Sequence, residues 1–452
     1  MPSHLHRREF LRRASVLGAA SLVTGIPPGL LRAQPAPKVA PITMVINQSP
    51  WFNGFRLLVE QYQKETGNKI ELDVNPYAGA LDKIRNSLRA GSGTYDLLAI
   101  DNNWMVEFFD GGFLTPVADI DPNFKLDPQV STYGGTIYWN DKLHTFDPRG
   151  GKLMGVSING NVEVFYYRKD LYDQKGLKVP ETWDQVLENA TRLNDPGKVY
   201  GFVRRDDRDS ALADFSNYLF SFGGDIFANA SAGDFTVVFN SPAAKSALEF
   251  YLRLGKAGGY PTPGSVSQGT MIQLMATGKA AQTVGIVGTW AQLEDADKSV
   301  VAGKFETALI PRGGNGKHAS RAGHWIGAIA RNVPRERQVA ALQFLNWFQT
   351  AEHQLAYTRY GAVPVRTDLG QTELARDPKF RFLKAQGENS NVAKMYAVVP
   401  EAAQMNSLLS LRLNECVIGK ASVVEALNRG AAEVAELMAR SGRKTGRLPD
   451  LA

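Results

Sequence analysis

An α/β fold with a mostly parallel sheet and helices on both faces follows from three features of the sequence. Between residues 42 and 100 the hydrophobic period switches in the order strand, helix, strand, helix, strand, the pattern of a parallel sheet with covering helices. The single cysteine, Cys416, cannot form an internal disulfide and the six histidines are scattered, so the fold must rest on core packing. A chain of 452 residues, 44% hydrophobic and with 43 glycines, is long enough for more than one globular domain.

The first strand is Ile42 to Asn47, "ITMVIN". After the loop "QSPWFNG" a helix carries Phe55, Leu58, Val59 and Tyr62 on one face until Gly67 stops it. "KIELDV" alternates Ile70, Leu72 and Val74 as a second strand; Leu81, Ile84 and Leu88 mark a second helix, and "YDLLAI" (Tyr95 to Ile100) a buried strand. Ligands of such sheets sit beyond the carboxyl ends of the strands. Here those ends read Gln48-Ser-Pro-Trp51 and Asp101-Asn-Asn-Trp104, both polar with a tryptophan. Farther on, "VEVFYY" and "FTVVFN" are strands, Thr182 with Gln185 forms a capping box, and Ser241-Pro242 starts another helix. Ala341, Phe344, Leu345 and Phe348 define one more amphipathic helix, with Trp347 read as core.

The amino terminus reads differently. Arg7 and Arg8 precede Phe10 and Leu11, and no charged residue occurs from Ala14 to Leu31. The apolar part, Ala14 to Ile26, spans about 20 Å as a helix, too short for a hydrocarbon core of about 30 Å. Residues 1–33 are therefore expected to be a removable signal ending near Ala33. The pattern resembles a twin-arginine export signal, with an ordinary secretory signal as the alternative. Those 33 residues hold five Arg and one Glu, so their loss takes the formal charge from +6 to +2. A nucleic-acid partner then has no electrostatic footing.

"GKLMGVSINGNVEVFYYRKDLYDQKGLKVPETWDQVLENATRL" carries a resemblance to the extracellular solute-binding proteins of ABC transporters, family 1, the maltose-binding-protein-like group. "SLRAGSGTYDLLAID", "FFDGGFLTPV", "FGGD", "LMATGKAAQTVGIVGTW", "ALIPRGGN", "AGHWIGAIA" and "YGAVPVR" follow in the family's order. Ser157, where proline is usual, and Arg168, where Asn is common, depart from the pattern. The resemblance implies two α/β lobes closing on a ligand in the cleft. The implied segments are 41–157 with 317–364 for the N-terminal lobe and 158–312 with 367–452 for the C-terminal lobe. Hinge crossings are expected near 156–161, 309–316 and 364–367. It further implies a monomer without cofactor or enzymatic activity that serves a membrane permease from the periplasm, and the Arg7-Arg8 pattern adds the twin-arginine export machinery as a partner.

A sugar presents C–H faces and hydroxyl edges, so its site needs aromatic plates and planar polar groups. Trp51, Trp104, Trp290 and Trp325 lie in loops, and Trp290 matches the family's aromatic after the glycine; Asp101, Asn103, Asn161 and Arg366 are the polar candidates. Asn161 and Asn406 occupy positions where the resemblance places an acidic contact and an aromatic plate, and the missing aromatic at Asn406 suggests a shorter or different ligand. A polyol or polyamine is the alternative solute, although a polyamine calls for several acids, and an exported enzyme on the same scaffold is the other. "RRDDRDS" at 204–210 reads as a solvated loop, and His318 and His324 lack a third metal ligand.

Overall fold

The computed structural model describes residues 38–452 apart from 315 and 397; Arg7, Arg8 and the rest of the expected signal lie outside them. The first strand, β1 (Ile42–Asn47), leads into helix α1 (Phe52–Thr66), strand β2 (Ile70–Asn75), helix α2 (Tyr77–Arg89) and strand β3 (Leu97–Asp101). β1 lies between β2 and β3, parallel to both. α1 buries Phe55, Leu58, Val59 and Tyr62, the stripe expected from their spacing. Gly67 ends it at φ 72°, a conformation costly for a residue with a Cβ.

Beyond β3 the sheet changes direction. Strand Trp325–Ile329 runs antiparallel to β3 and also to Gly155–Asn159, which closes the five-stranded sheet. A second sheet has Glu163–Arg168 at its centre, flanked antiparallel by Gln282–Ile286 and Phe305–Ala308. Four of the five strands of the large sheet thus run in one direction, and Trp325–Ile329, inserted between β3 and Gly155–Asn159, is the reversed one. Gly155–Asn159 precedes the chain's entry into the second sheet, whereas Trp325–Ile329 follows its return from there, and it is the returning strand that is reversed.

The first passage is Gly160 to Val162, between the last strand of one sheet and the central strand of the other. Gly160 donates its N–H to the Val363 carbonyl at 3.2 Å, and a Cβ there would lie 1.8 Å from the Pro364 oxygen. No side chain fits. Helices Trp183–Leu193, Ala211–Ser221 and Pro242–Gly258 pack on one another, and the first has the capping box read from Thr182 and Gln185. The third starts at the Ser241 side chain, which accepts the Ala244 N–H. Trp347 is half-buried rather than core; its indole N–H reaches Glu65 at 3.1 Å across the helix surface. No described helix is long and apolar enough to cross a membrane.

Candidate ligand-binding cleft

The carboxyl ends of the parallel strands open into a cavity of about 590 Å³. On one side stand Asn47 to Trp51 after β1, Tyr77 at the start of α2, Asp101 to Trp104 after β3, and Trp325. Facing them are Asn161, Arg205, Ser210 and Ala213 at the start of helix Ala211–Ser221, Gln268, Arg321, Tyr396 and Asn406. The lining is thus drawn from segments around both sheets, at the position beyond the strand ends.

The aromatic side is one interlocked wall. Trp325 meets Trp104 at 5.3 Å and Trp51 at 5.9 Å between ring centroids, and Tyr77 lies 4.5 Å from Trp104 and 6.0 Å from Trp325. The three indoles are buried, and Tyr77, at 44% exposed, is the ring most open to an incoming molecule. Edge and tilted contacts of this kind hold rings rigidly.

Asp101 ends β3 within this wall. Its Oδ1 accepts from the Tyr77 hydroxyl at 3.1 Å, from the Asn103 backbone at 2.9 Å and from the Asn103 side chain at 2.7 Å. Burial pushes its pKa up to about 6 against the opposing pull of those hydrogen bonds and of Arg321.

The opposite side is guanidinium on a carboxylate. Glu163, fully buried, uses one oxygen for both Arg205 at 2.5 Å and Arg321 at 3.1 Å. Arg205 also donates to Gln268 at 3.0 Å, and Arg321 lies 5.6 Å over the Tyr396 ring. Both Nε atoms, and the second oxygen of Glu163, are buried without a partner among the described residues. Behind them Asp214, enclosed and with neither oxygen bonded, is pushed up to about 7 by burial. Asn161 accepts the Gly288 N–H at 2.8 Å, while Asn406 accepts the Tyr396 hydroxyl at 3.1 Å.

Seven residues expected in the cleft line this cavity: Trp51, Asp101, Asn103, Trp104, Asn161, Trp325 and Asn406. Trp290 and Arg366 do not. Trp290 is 3% exposed, stacked on Tyr166, tilted against Phe382, covered by Arg381 at 4.5 Å, and bonded through its N–H to the Lys379 carbonyl. It borders a separate cavity of about 380 Å³ lined by Val287, Gly288 and Thr358 to Val363. Arg366 is buried between Asp127 at 2.5 Å and Asp368 at 2.7 Å, so its guanidinium is already satisfied. The 204–210 loop is not wholly solvated either. Arg204, Arg205 and Asp206 are buried because Arg204 pairs with Asp206 and covers the Tyr251 ring at 4.0 Å, while Arg205 turns to Glu163.

Sequence reasoning missed Tyr77, Arg205, Gln268, Arg321 and Tyr396. Tyr77 was within reach, since it follows the end of β2 as Trp51 follows β1; the others depend on long-range packing.

The model of the bacterial extracellular solute-binding protein family matches residues 47–355. The chain belongs to this family. A probable amino-acid ABC transporter periplasmic-binding protein of Sinorhizobium fredii is 22% identical to this solute-binding protein over 398 residues, 86% of this chain and 88% of the relative. The mannitol-binding protein of Pseudomonas aeruginosa is 27% identical over 274 residues, 59% of this chain and 58% of its own length. Among solved structures, an ABC transporter solute-binding protein of Agrobacterium radiobacter in complex with ribitol superposes with a TM-score of 0.72 at 22% identity, covering 88% of this chain and 98% of the other. The two-lobed fold is common to both.

Proposed function

We propose that this solute-binding protein takes up a sugar or polyol in the cleft between its lobes and delivers it, unchanged, to the permease of an ABC importer. The observation that carries the reading is the aromatic wall of Trp51, Trp104, Trp325 and Tyr77 set opposite Arg205, Arg321 and Asn161 across a cavity of about 590 Å³. Aromatic faces suit the C–H side of a polyhydroxyl solute, and carboxylate, amide and guanidinium groups suit its hydroxyls. Two of the named relatives support it, a mannitol-binding protein and a structure that holds ribitol, while a third carries the name of an amino-acid transporter's binding protein.

In this reading the passages at 156–161, 309–316 and 364–367 are the hinge, and the lobes formed by 41–157 with 317–364 and by 158–312 with 367–452 close around the ligand. The closed form is what a permease recognises, and ligand shifts the population toward it. Delivery occurs outside the cytoplasm, in the periplasm, after export through the twin-arginine route and removal of residues 1–33. The protein acts as a monomer, without cofactor and without covalent chemistry.

A thermal-shift screen of sugars and alditols, with amino acids as the contrast set, tests the ligand class. Hits are then followed by small-angle scattering and by chemical analysis of the recovered ligand. A smaller radius of gyration with intact sugar or polyol is expected; stabilisation by amino acids alone, or conversion of the ligand, overturns the reading.

A further inference from the structure

The charges around the cleft do not cancel. Arg205 and Arg321 line it, and so do Asp101 and the exposed Asp209, while Glu163 lies beneath and holds both guanidiniums through one oxygen. Two cations therefore stand against three carboxylates, and the carboxylate without an ion pair on the aromatic side is Asp101. It is 6% exposed. Its Oδ1 is saturated by Tyr77 and Asn103, whereas Oδ2 accepts no hydrogen bond among the described residues and is not among the atoms closed off from the cavity.

Buried carboxylates are ordinarily paired with a cation, since removing a lone charge from water is costly. Within the protein, the groups facing Asp101 are the Tyr77 hydroxyl from α2, the Asn103 amide from its own loop and, at longer range, Arg321, which is committed to Glu163. None of them supplies an ion pair. The rings of Tyr77 and Trp104 border the same spot, and aromatic faces attract ammonium groups. A neutral hydroxyl could donate to Oδ2 but would leave the charge uncompensated.

We propose that the solute of this cleft is an aminated polyhydroxyl compound, an amino sugar or amino alditol, whose ammonium group is received by Asp101 Oδ2. The inference rests on the sugar or polyol reading and narrows it. The amine donates to Oδ2 and neutralises the carboxylate, while hydroxyls on the remaining edge meet Arg321 and Asn161. Simple sugars and alditols then bind more weakly than their aminated counterparts.

The test is a set of matched pairs measured by calorimetric titration: glucose and glucosamine, galactose and galactosamine, sorbitol and 1-amino-1-deoxysorbitol, with N-acetylglucosamine as the neutral amide control. One added charge-assisted hydrogen bond predicts about tenfold tighter binding for the amine of at least one pair. That preference should shrink on going from pH 7.5 to pH 4.5, as Asp101 takes up a proton, and vanish in Asp101→Asn. Thermal melting of the isosteric variant separates lost preference from lost fold, and the pH series on the unaltered protein needs no variant. Equal or tighter binding of the hydroxyl member in every pair overturns the inference and leaves the sugar or polyol reading standing. Preference for the amine that survives in folded Asp101→Asn overturns the role of Asp101. Binding by no member of any pair overturns the inference, and stabilisation by amino acids alone in the thermal-shift screen overturns the sugar or polyol reading with it.

Discussion

Gly160→Ala places a methyl group where the backbone of Pro364 already stands. The added carbon would lie 1.8 Å from the Pro364 oxygen and 2.8 Å from its carbonyl carbon, with the Gln386 side-chain nitrogen at 3.0 Å. Relaxed contacts between heavy atoms need about 3.5 Å, so the crossing segments must part by well over an ångström. Overpacking of that kind costs about 1–3 kcal/mol. Parting the segments also weakens the Gly160 N–H bond to Val363 and the Gln386 bond to the Gly160 carbonyl, at about 1 kcal/mol each. A loss of about 3–5 kcal/mol is the working total, read by urea unfolding as a lower midpoint at unchanged slope. Gly91→Ala is the matched control, because a Cβ there meets nothing within 4 Å. If Gly160→Ala unfolds within about 0.5 kcal/mol of the parent, the range of ordinary surface substitutions, the crossing is not the tight junction described.

Trp290→Ala should lower unfolding stability by about 3–5 kcal/mol, as emptying a buried aromatic site does, and change the affinity for a cleft ligand by less than about threefold, under 0.7 kcal/mol; a large affinity loss at near-normal stability would put the indole back in the cleft. Asp214 has a folded pKa raised to about 7 from the unfolded value near 4. Its neutral form is the one the fold favours, so this contribution to stability is fully present below about pH 4 and declines until about pH 7. Asp214→Asn should remove that decline, and identical stability-against-pH curves for variant and parent would show that Asp214 does not titrate there. Arg366→Met leaves the partly exposed Asp127 and Asp368 without their shared cation and should cost about 1–3 kcal/mol, with ligand affinity unchanged; a selective loss of binding would contradict the position found for it.

The elements that sequence patterning located well are those whose signal is local. β1 was read at its observed limits, and α1, the Thr182 capping box and the Ser241-Pro242 start all depend on residues within a few positions of each other. The loops after β1 and β3 were legible for the same reason, since a strand end fixes where Trp51 and Asp101 must point. The floor of the cleft was not. Glu163, Arg205 and Arg321 come from three distant parts of the chain, and nothing near "RRDDRDS" indicates that its second arginine will find a buried partner. Trp290 misled for a related reason: glycines beside an indole permit exposure but equally permit the tight packing on Tyr166 and Phe382. The mostly parallel character of the large sheet is legible in β1 to β3, whereas the one reversed strand, Trp325–Ile329, has no local signal because its direction is set by chain returning from the second sheet.

The clustering of Trp51, Trp104 and Trp325 also has a spectroscopic meaning. Three of the seven tryptophans stand with neighbouring centroids 5.3 and 5.9 Å apart, close enough for their excited states to interact and for emission to migrate among them. A molecule settling against Tyr77 changes the polarity around all three at once. The cleft therefore carries its own optical label, and near-ultraviolet circular dichroism or intrinsic fluorescence can follow occupancy without any attached dye.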